Sequence, residues 1–222
     1  MKKDFMSTIH KTAKRDYLAR VNNVEFPKEK AAILAKKWAY DYWDGDRRIN
    51  YGGYKYIEGR WEKIAKNMIE EYNLKPNSKI LDIGCGKGFL LHDFKKINSS
   101  FEVQGLDISQ YAIDNSKKEI KNNLILGNAS SLPFKDDYFD LVISINTLHN
   151  LYNYELLPAL KEIERVGKKN KYICVESYRD EKEKVNLLYW QVTCEGFYTP
   201  QEWQWWFEQA KYTGDHSFIY FE

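Results

Sequence analysis

Apolar and polar positions follow a helical rhythm in the first third of the chain. Over residues 61–72 the apolar side chains recur three or four positions apart, which predicts an amphipathic helix that Pro76 closes. Residues 28–43 contain several alanines and a leucine along an apolar stripe, so they predict a second helix. We therefore expect this part of the protein to be largely helical.

From residue 79 onward the pattern alternates between short buried runs and helical periods. The buried runs predict strands at 79–84, 102–107, 123–127, 139–145, 171–177 and 218–221. The helical periods lie between them at 89–97, 109–120, 156–166 and 201–212. Residues 185–193 fit a helix and a strand equally well. Alternating strands and helices predict right-handed βαβ units, and hence an α/β fold with a doubly wound, mostly parallel sheet.

Charge separates the chain into two parts. Residues 1–63 hold 15 Lys/Arg against 9 Asp/Glu, a net charge of +6, whereas the whole chain of 222 residues carries only +2. We therefore expect an N-terminal helical and aromatic cap and lid over residues 1–63. The α/β core is then expected over residues 64–222.

Composition excludes several classes of protein. Aromatic residues make up 16% of the chain, too many for a disordered protein. The isoelectric point of about 8.2 lies below the range of dedicated nucleic-acid-binding domains, roughly 9 and above, so a nucleic-acid partner is disfavoured. No apolar run reaches the roughly 18 residues of a membrane span, and no signal peptide is visible. The three widely spaced cysteines suggest neither disulfides nor a metal site, so we expect a cytoplasmic protein without membrane contact.

A glycine-rich turn follows the first predicted strand and reads Asp82-Ile83-Gly84-Cys85-Gly86-Lys87-Gly88. Glycines allow the backbone to turn sharply and to approach a ligand closely. The dinucleotide-binding pattern G-x-G-x-x-G fails here, because its third small position falls on Phe89 or on Leu91. The pattern that remains is an acid two residues before three alternating glycines.

This turn resembles the signature of class I S-adenosylmethionine-dependent methyltransferases. The resemblance extends in order over residues 60–180: an acid, Asp107, at the end of the second strand, the segment 127–134 after the third, and the fourth strand at 139–144. Asp107 lies 23 positions after Gly84, close to the roughly 20 expected of a carboxylate that binds ribose hydroxyls. The family implies a Rossmann-like sheet and S-adenosyl-L-methionine as the cofactor. The cofactor-binding residues that the resemblance implies are Asp82, Gly84, Cys85, Gly86, Gly88, Asp107, Ile108, Asn128, Ala129 and Asn146.

The segment from residue 38 to residue 61 holds eight aromatic residues in 24 positions, interleaved with charges. One interpretation is an ordered loop packed on the sheet, which we favour for its tryptophans. The other is a lid that closes over the cofactor and contacts the acceptor, as this region does in the family. Arginine suits the binding of phosphate or carboxylate groups, so Arg47, Arg48, Arg60 and Tyr54 are the substrate-binding candidates of this segment.

His149 follows the fourth predicted strand, where the acceptor meets the donor in the family that the chain resembles. Methyl transfer to a hydroxyl needs a base with a pKa near neutrality, which makes His149 the catalytic candidate. The alternative is a histidine that only hydrogen-bonds the backbone at the end of a strand. Glu176 and Tyr178, at the end of the fifth strand, are further candidates for substrate contact.

The resemblance implies a methyltransferase, and the basic cap favours a small anionic acceptor such as a sugar-linked or phosphorylated precursor. Residues 146–151 also resemble methyltransferases of bacterial surface-polysaccharide pathways. Methylation of RNA or protein remains an alternative, although the Asn-Pro-Pro-Tyr box of enzymes that methylate planar amines is missing. A cofactor-binding scaffold without activity is a third reading.

The C-terminus departs from the family, whose sheets usually finish with a pair of strands. Only one clear strand, at 218–222, ends this chain. We therefore expect a shortened sheet edge or an edge that a partner subunit completes, as in a homodimer. Trp203 and Trp206 share one face of the preceding helix and are expected in the core or in such a contact.

Overall fold

A sheet of six parallel strands forms the centre of the computed structural model, which describes residues 3–10 and 15–222. The strands are β1 (Lys79–Ile83), β2 (Glu102–Asp107), β3 (Leu124–Leu126), β4 (Phe139–Ile145), β5 (Gly167–Glu176) and β6 (Asp215–Ile219). Their order is β3-β2-β1-β4-β5-β6, and every neighbouring pair is parallel. The order reverses direction between β1 and β4, which is where open α/β sheets bind ligands, beyond the carboxyl ends of their strands. The predicted doubly wound, Rossmann-like sheet is thus confirmed.

Helices precede and connect these strands. They are α1 (Ser7–His10), α2 (Tyr17–Val21), α3 (Lys28–Ala35), α4 (Tyr40–Trp43), α5 (Glu62–Glu71), α6 (Phe89–Ile97), α7 (Gln110–Asp114), α8 (Asn153–Val166), α9 (Glu181–Trp190) and α10 (Pro200–Gln209). Within the described part of the chain, no helix combines the length and apolar character needed to cross a bilayer.

Side chains alternate between the two faces of the sheet, because successive residues of a strand point in opposite directions. On one face, Ile80 packs with the buried sides of α5 and α6. On the other face, Leu81 and Ile83 pack with α8 and α10. Trp203 of α10 is fully buried there, and its indole N–H donates to the Glu176 carbonyl at 2.9 Å. Because helices cover both faces of the sheet, a ligand site is expected at the carboxyl ends of the strands.

Several helix and strand boundaries predicted from the sequence differ from those of the structure. The helix predicted over 28–43 is interrupted, because Trp38 adopts a left-handed φ of 52° between α3 and α4. The helix predicted over 109–120 ends at Asp114. Strand β5 begins at Gly167 rather than residue 171, directly after α8. The ambiguous segment 185–193 falls largely into α9, which Asp180 caps by accepting from the Glu183 N–H at 2.9 Å.

Among the described residues, β6 is the last strand at the C-terminal edge of the sheet, in agreement with the single final strand that the sequence predicts. Lys3 lies beside this strand, and its N–H donates to the His216 carbonyl at 3.1 Å. Phe5 is buried, and its ring meets that of Tyr172 edge-on at 5.0 Å. Part of the predicted cap therefore packs at the far edge of the sheet. Residues 1, 2 and 11–14 of that cap lie outside the described residues, and the division at residue 63 stays a prediction.

Replacing Phe5 by alanine tests this packing. Because the ring is 8% exposed and the core would be left with a cavity, we expect Phe5→Ala to lower the free energy of unfolding by about 3 kcal/mol. Urea denaturation measures the loss. The control is Val24→Ala, whose side chain is 94% exposed and whose replacement should change stability by less than about 0.5 kcal/mol. Equal stabilities for the two variants would contradict this placement of the N-terminal residues.

Candidate functional site

The turn between β1 and α6 can be built only from glycine at its key positions. Gly84, Gly86 and Gly88 have φ values of 76°, 55° and 70°, in the left-handed region that side chains disfavour. A Cβ on Gly84 would lie 1.9 Å from Thr147 Oγ1, and one on Gly86 would lie 2.7 Å from the ring of Trp43. The turn is therefore wedged between the segment after β4 and the aromatic segment 38–61.

Asp107 fixes this turn to the end of β2. Its Oδ2 accepts a hydrogen bond from the Gly86 N–H at 2.7 Å, and its Oδ1 accepts one from the Ser109 N–H at 2.8 Å. Burial raises the pKa of Asp107, and the backbone hydrogen bonds oppose that rise. Since each carboxylate oxygen can accept a second hydrogen bond, Asp107 retains the capacity to bind two hydroxyl groups of a ligand.

Asp82, the second carboxylate of the site, lies at the end of β1. It lines the same cavity, and its carboxylate accepts no hydrogen bond from the described residues. Burial, together with the nearby charge of Asp107, raises its pKa to about 7. A bound cation would stabilise the ionised form of this buried carboxylate, which accepts no hydrogen bond.

A cavity of about 420 Å³ joins these carboxylates to a wall of aromatic rings. The wall contains Trp38, Tyr42, Trp43, Tyr51, Tyr54, Trp61, Phe89 and Tyr152. Its rings contact one another, as Trp43 and Tyr51 show by stacking at 5.5 Å with an interplanar angle of 4°. Trp43 also donates its indole N–H to Ser109 Oγ at 2.9 Å, which ties the wall to the end of β2. The carboxylates and the aromatic wall thus line one continuous cavity.

Two asparagines present unpaired oxygen atoms beside this cavity. Asn146 has a left-handed φ of 57°, and both Asn146 and Asn150 line the cavity. The Asn150 side-chain amide donates to the Asn146 carbonyl at 3.3 Å, which orients it. The Oδ1 atoms of both residues are buried and have no hydrogen-bond partner among the described residues. Such atoms cost free energy unless a ligand or water supplies a donor.

The structure brings together most of the residues predicted to bind the cofactor. Nine of them line the cavity: Asp82, Gly84, Cys85, Gly86, Asp107, Ile108, Asn128, Ala129 and Asn146. Gly88 does not, because it faces the interior, where a Cβ would lie 2.3 Å from Ile120. Tyr54 and Arg60, predicted to bind the substrate, also line the cavity.

His149 is placed outside the cavity lining and is only 2% exposed. Its Nδ1 accepts a hydrogen bond from the Glu176 N–H at 3.4 Å, and its Nε2 lies 3.5 Å from Glu176 Oε2. Burial lowers the pKa of His149 to about 3 and raises the pKa of Glu176 to about 8. The pair is therefore uncharged at neutral pH, and this geometry favours the structural alternative for His149 over the role of a base.

The remaining substrate candidates also lie away from the cavity. Arg48 pairs with Asp46 at 2.6 Å and with Glu25 at 2.5 Å on the surface. The Arg47 guanidinium lies 5.6 Å from the Trp190 ring. Glu176 and Tyr178 are buried and do not line the cavity. The sequence correctly placed Glu176 at the end of a strand, but it could not give the direction of its side chain.

Sequence reasoning missed Thr147 and Asn150, which line the cavity. They lie within four positions of Asn146, and the tight turn over Leu148–Asn150 returns Asn150 to it. The available signal was a run of polar residues after a buried strand. Lys36 and Glu195, which form an ion pair at the cavity, were missed as well, because they are 159 positions apart.

The residues present fit S-adenosylmethionine. Asp107 offers two acceptor atoms, Asp82 offers a carboxylate that lacks a cation, and Asn146 offers a buried oxygen that lacks a donor. At Gly84 and Gly86 the backbone of the turn reaches the cavity without a side chain. A nucleoside with hydroxyl groups and a positively charged amino-acid portion would satisfy each of these needs.

Comparison with known proteins agrees with this fit. A family model described as a methyltransferase domain matches residues 74–211. Demethylmenaquinone methyltransferase of Lysinibacillus sphaericus is 38% identical over 121 residues, which cover 52% of this chain and 51% of that protein. The enzyme of the same name from Symbiobacterium thermophilum is 30% identical over 145 residues, 60% of this chain and 57% of that protein. The match thus spans about half the length of these curated relatives.

A solved structure shows the same fold. The YcgJ protein of Bacillus subtilis superposes with a TM-score of 0.54 at 24% identity, covering 66% of each chain. The family match extends from just before β1 to just after α10 and so includes the glycine turn and Asp107. The chain therefore belongs to the methyltransferase domain family.

Proposed function

We propose that this protein is an enzyme that uses S-adenosylmethionine as its methyl donor and methylates a small molecule with a flat, apolar body and hydrogen-bond donors. The observation that carries the proposal is the continuity of the cavity, which runs from the two carboxylates to the aromatic wall. Aromatic rings bury large apolar surfaces and stack against flat groups. The aromatic wall therefore favours a flat, apolar acceptor over the saccharide that the sequence suggested.

Polar groups at the cavity further restrict the chemical class of the acceptor. The Oδ1 atoms of Asn146 and Asn150 need donors, such as the hydroxyls of a phenol or quinol. Arg60 lines the cavity from an exposed position, and no hydrogen bond or ion pair engages its guanidinium among the described residues. A cation there favours an acceptor with negative charge, which keeps the anionic character expected from the cap. The relatives named demethylmenaquinone methyltransferase add support for this class.

The residues of the site act by binding and orienting the methyl donor. Asp107 is itself fixed by the Gly86 and Ser109 N–H groups, so it is positioned for ribose hydroxyls before they bind. Asp82 provides negative charge for the cationic portion of the donor. When bound, S-adenosylmethionine supplies an electrophilic methyl group on a sulfonium, which leaves as a neutral thioether. Alignment of the two reactants can supply roughly 7–11 kcal/mol of the barrier.

A substrate panel tests the proposed acceptor. We expect release of the demethylated cofactor with a water-soluble demethylated naphthoquinol and with simple dihydroxy-aromatic compounds. Rates should stay at background with phosphorylated sugars and with total tRNA. Arg60→Gln should raise KM for an anionic aromatic acceptor about tenfold, the loss of one charged contact, while leaving KM for the cofactor unchanged. Turnover confined to sugars or to tRNA would overturn the proposal.

The pKa of Asp82 predicts how cofactor affinity depends on pH. In the ligand-free protein this carboxyl ionises near pH 7, and only the ionised form attracts a cation. We therefore expect the affinity for S-adenosylmethionine to rise by up to about tenfold between pH 6 and pH 8. Titration calorimetry at both pH values measures the change. An Asp82→Asn variant should bind more weakly with a much flatter pH dependence, and an unchanged dependence would contradict the assignment.

The raised pKa of Asp82 also affects stability: as the pH rises, the ligand-free protein becomes less stable, whereas the affinity for the cofactor increases. Because the pKa of Asp82 rises from 3.8 to about 7 on folding, the folded state retains a proton that the unfolded state releases. This contribution to stability is present below about pH 4 and is lost as the pH rises to about 7. Denaturant unfolding of the wild type and of Asp82→Asn over this range should show a smaller decline in the variant.

The buried pair of His149 and Glu176 provides a separate test. We expect His149→Asn to lower stability by about 1–3 kcal/mol while the dependence of kcat on pH keeps its shape. Glu176→Gln replaces a carboxyl that is already protonated and should preserve both stability and turnover. A general base contributes roughly 100-fold or more to the rate. A fall in kcat of that size in well-folded His149→Asn protein would establish the catalytic role predicted from the sequence.

A further inference from the structure

One wall of the cavity comes from the hydrophobic core rather than from the glycine turn or the aromatic segment. Four apolar side chains form this core wall: Ile9 of α1, Trp61 just before α5, Leu90 of α6 and Ile145 at the end of β4. Leu90 belongs to the core cluster that contains Ile80, and the other three side chains pack against that cluster. Tyr42 and Trp43 of the aromatic segment belong to a separate cluster. The core wall is therefore independent of the aromatic wall, although both line the same cavity.

The order of the strands separates the core wall from the residues that fit the nucleoside of the donor. Asp107 ends β2 and Asn128 follows β3, on one side of β1, whereas Ile145 ends β4 on the other side. The side chains of Ile9 and Ile145, like that of Leu90, can make no hydrogen bond. What this wall can gain from a ligand is therefore the burial of apolar surface.

Contacts of the residues that precede Ile9 hold it at this wall. Phe5 and Met6 are 8% and 2% exposed. Asp4 Oδ1 accepts hydrogen bonds from the Met6 and Ser7 N–H groups, at 2.9 and 2.8 Å. The Ile9 N–H donates in turn to the Met6 carbonyl at 3.0 Å. Helix α1 is thus tied to the core, and the Ile9 side chain contributes a boundary of defined position to the cavity.

We propose that the core wall forms a subsite for a hydrocarbon substituent of the acceptor and that Ile9 determines which chain lengths fit. The inference rests on the proposed function for the flat body of the acceptor. That body would stack on the aromatic wall, and its hydroxyls would donate to Asn146 and Asn150, so neither contact uses the core wall. An alkyl group there would transfer apolar surface from water into the protein. Hydrophobic pockets discriminate single methylenes by roughly tenfold or more, so the size of the side chain at position 9 would set the preferred length.

Binding of a series of related compounds tests the proposal. The protein is first saturated with S-adenosylhomocysteine, the demethylated cofactor. Titration calorimetry then gives Kd for 1,4-naphthalenediol, kept reduced, and for derivatives that carry a propyl or a pentyl chain on the ring. We expect the wild type to bind the pentyl derivative at least about tenfold more tightly than the parent compound. Ile9→Phe fills the subsite and should remove this preference while changing Kd for the parent less than about twofold. Ile9→Ala enlarges the subsite and should increase the preference for pentyl over propyl.

The matched control is Ile33→Phe, the same exchange on α3, where the side chain is 66% exposed and does not line the cavity. It should leave all three Kd values unchanged. An unchanged preference for chain length in folded Ile9→Phe or folded Ile9→Ala, with the parent still bound, would overturn this inference alone. No binding of any of the compounds by the wild type would overturn the proposed function with it. A preference that depends on Ile9, without turnover of any compound, would support the subsite and count against the proposed reaction. Thermal unfolding identifies the folded variants, and the two Ile9 variants change size in opposite directions, so either one alone decides the outcome.

Discussion

The site depends on two carboxylates held out of water at the ends of adjacent strands. Asp82 and Asp107 are both nearly buried, and parallel pairing of β1 with β2 places them at the same edge of the sheet. Ionised carboxyls so close together are unfavourable without compensation. Burial raises the pKa of both carboxyls; backbone N–H groups oppose the rise at Asp107, whereas no hydrogen bond from the described residues opposes it at Asp82. The site is thus a place where a cationic ligand with hydroxyl groups is stabilised.

The aromatic segment completes the site because it is joined to the same strand ends. Trp43 lies against Gly86 and donates to Ser109, while Asp44 pairs with Lys87. The wall that would receive the acceptor and the turn that would receive the donor are therefore parts of one packed unit. Such an arrangement suits the proposed reaction, since the orientation of two reactants requires that their binding surfaces be fixed relative to each other.

The fold was predictable because its determinants are local. Buried runs and helical periods can be recognised over a few residues, and the strands at 102–107 and 139–145 agree with the structure at both ends. The glycine turn was also readable, since left-handed backbone at Gly84 and Gly86 restricts the residue type. Errors arose where one residue changed the course of the backbone, as Trp38 does in the helix predicted from residue 28.

The sequence by itself determined the class of fold, the family and the edge of the sheet that carries the site, because periodicity, glycine conformations and the order of motifs are written along the chain. Only the tertiary structure decided which side chains reach the cavity. It turned His149 and Glu176 inward onto each other, and it brought Asp44 onto Lys87 across 43 positions. The physical reason is that the direction of a side chain and the partner of a buried charge depend on contacts between residues distant in sequence, which no local pattern records.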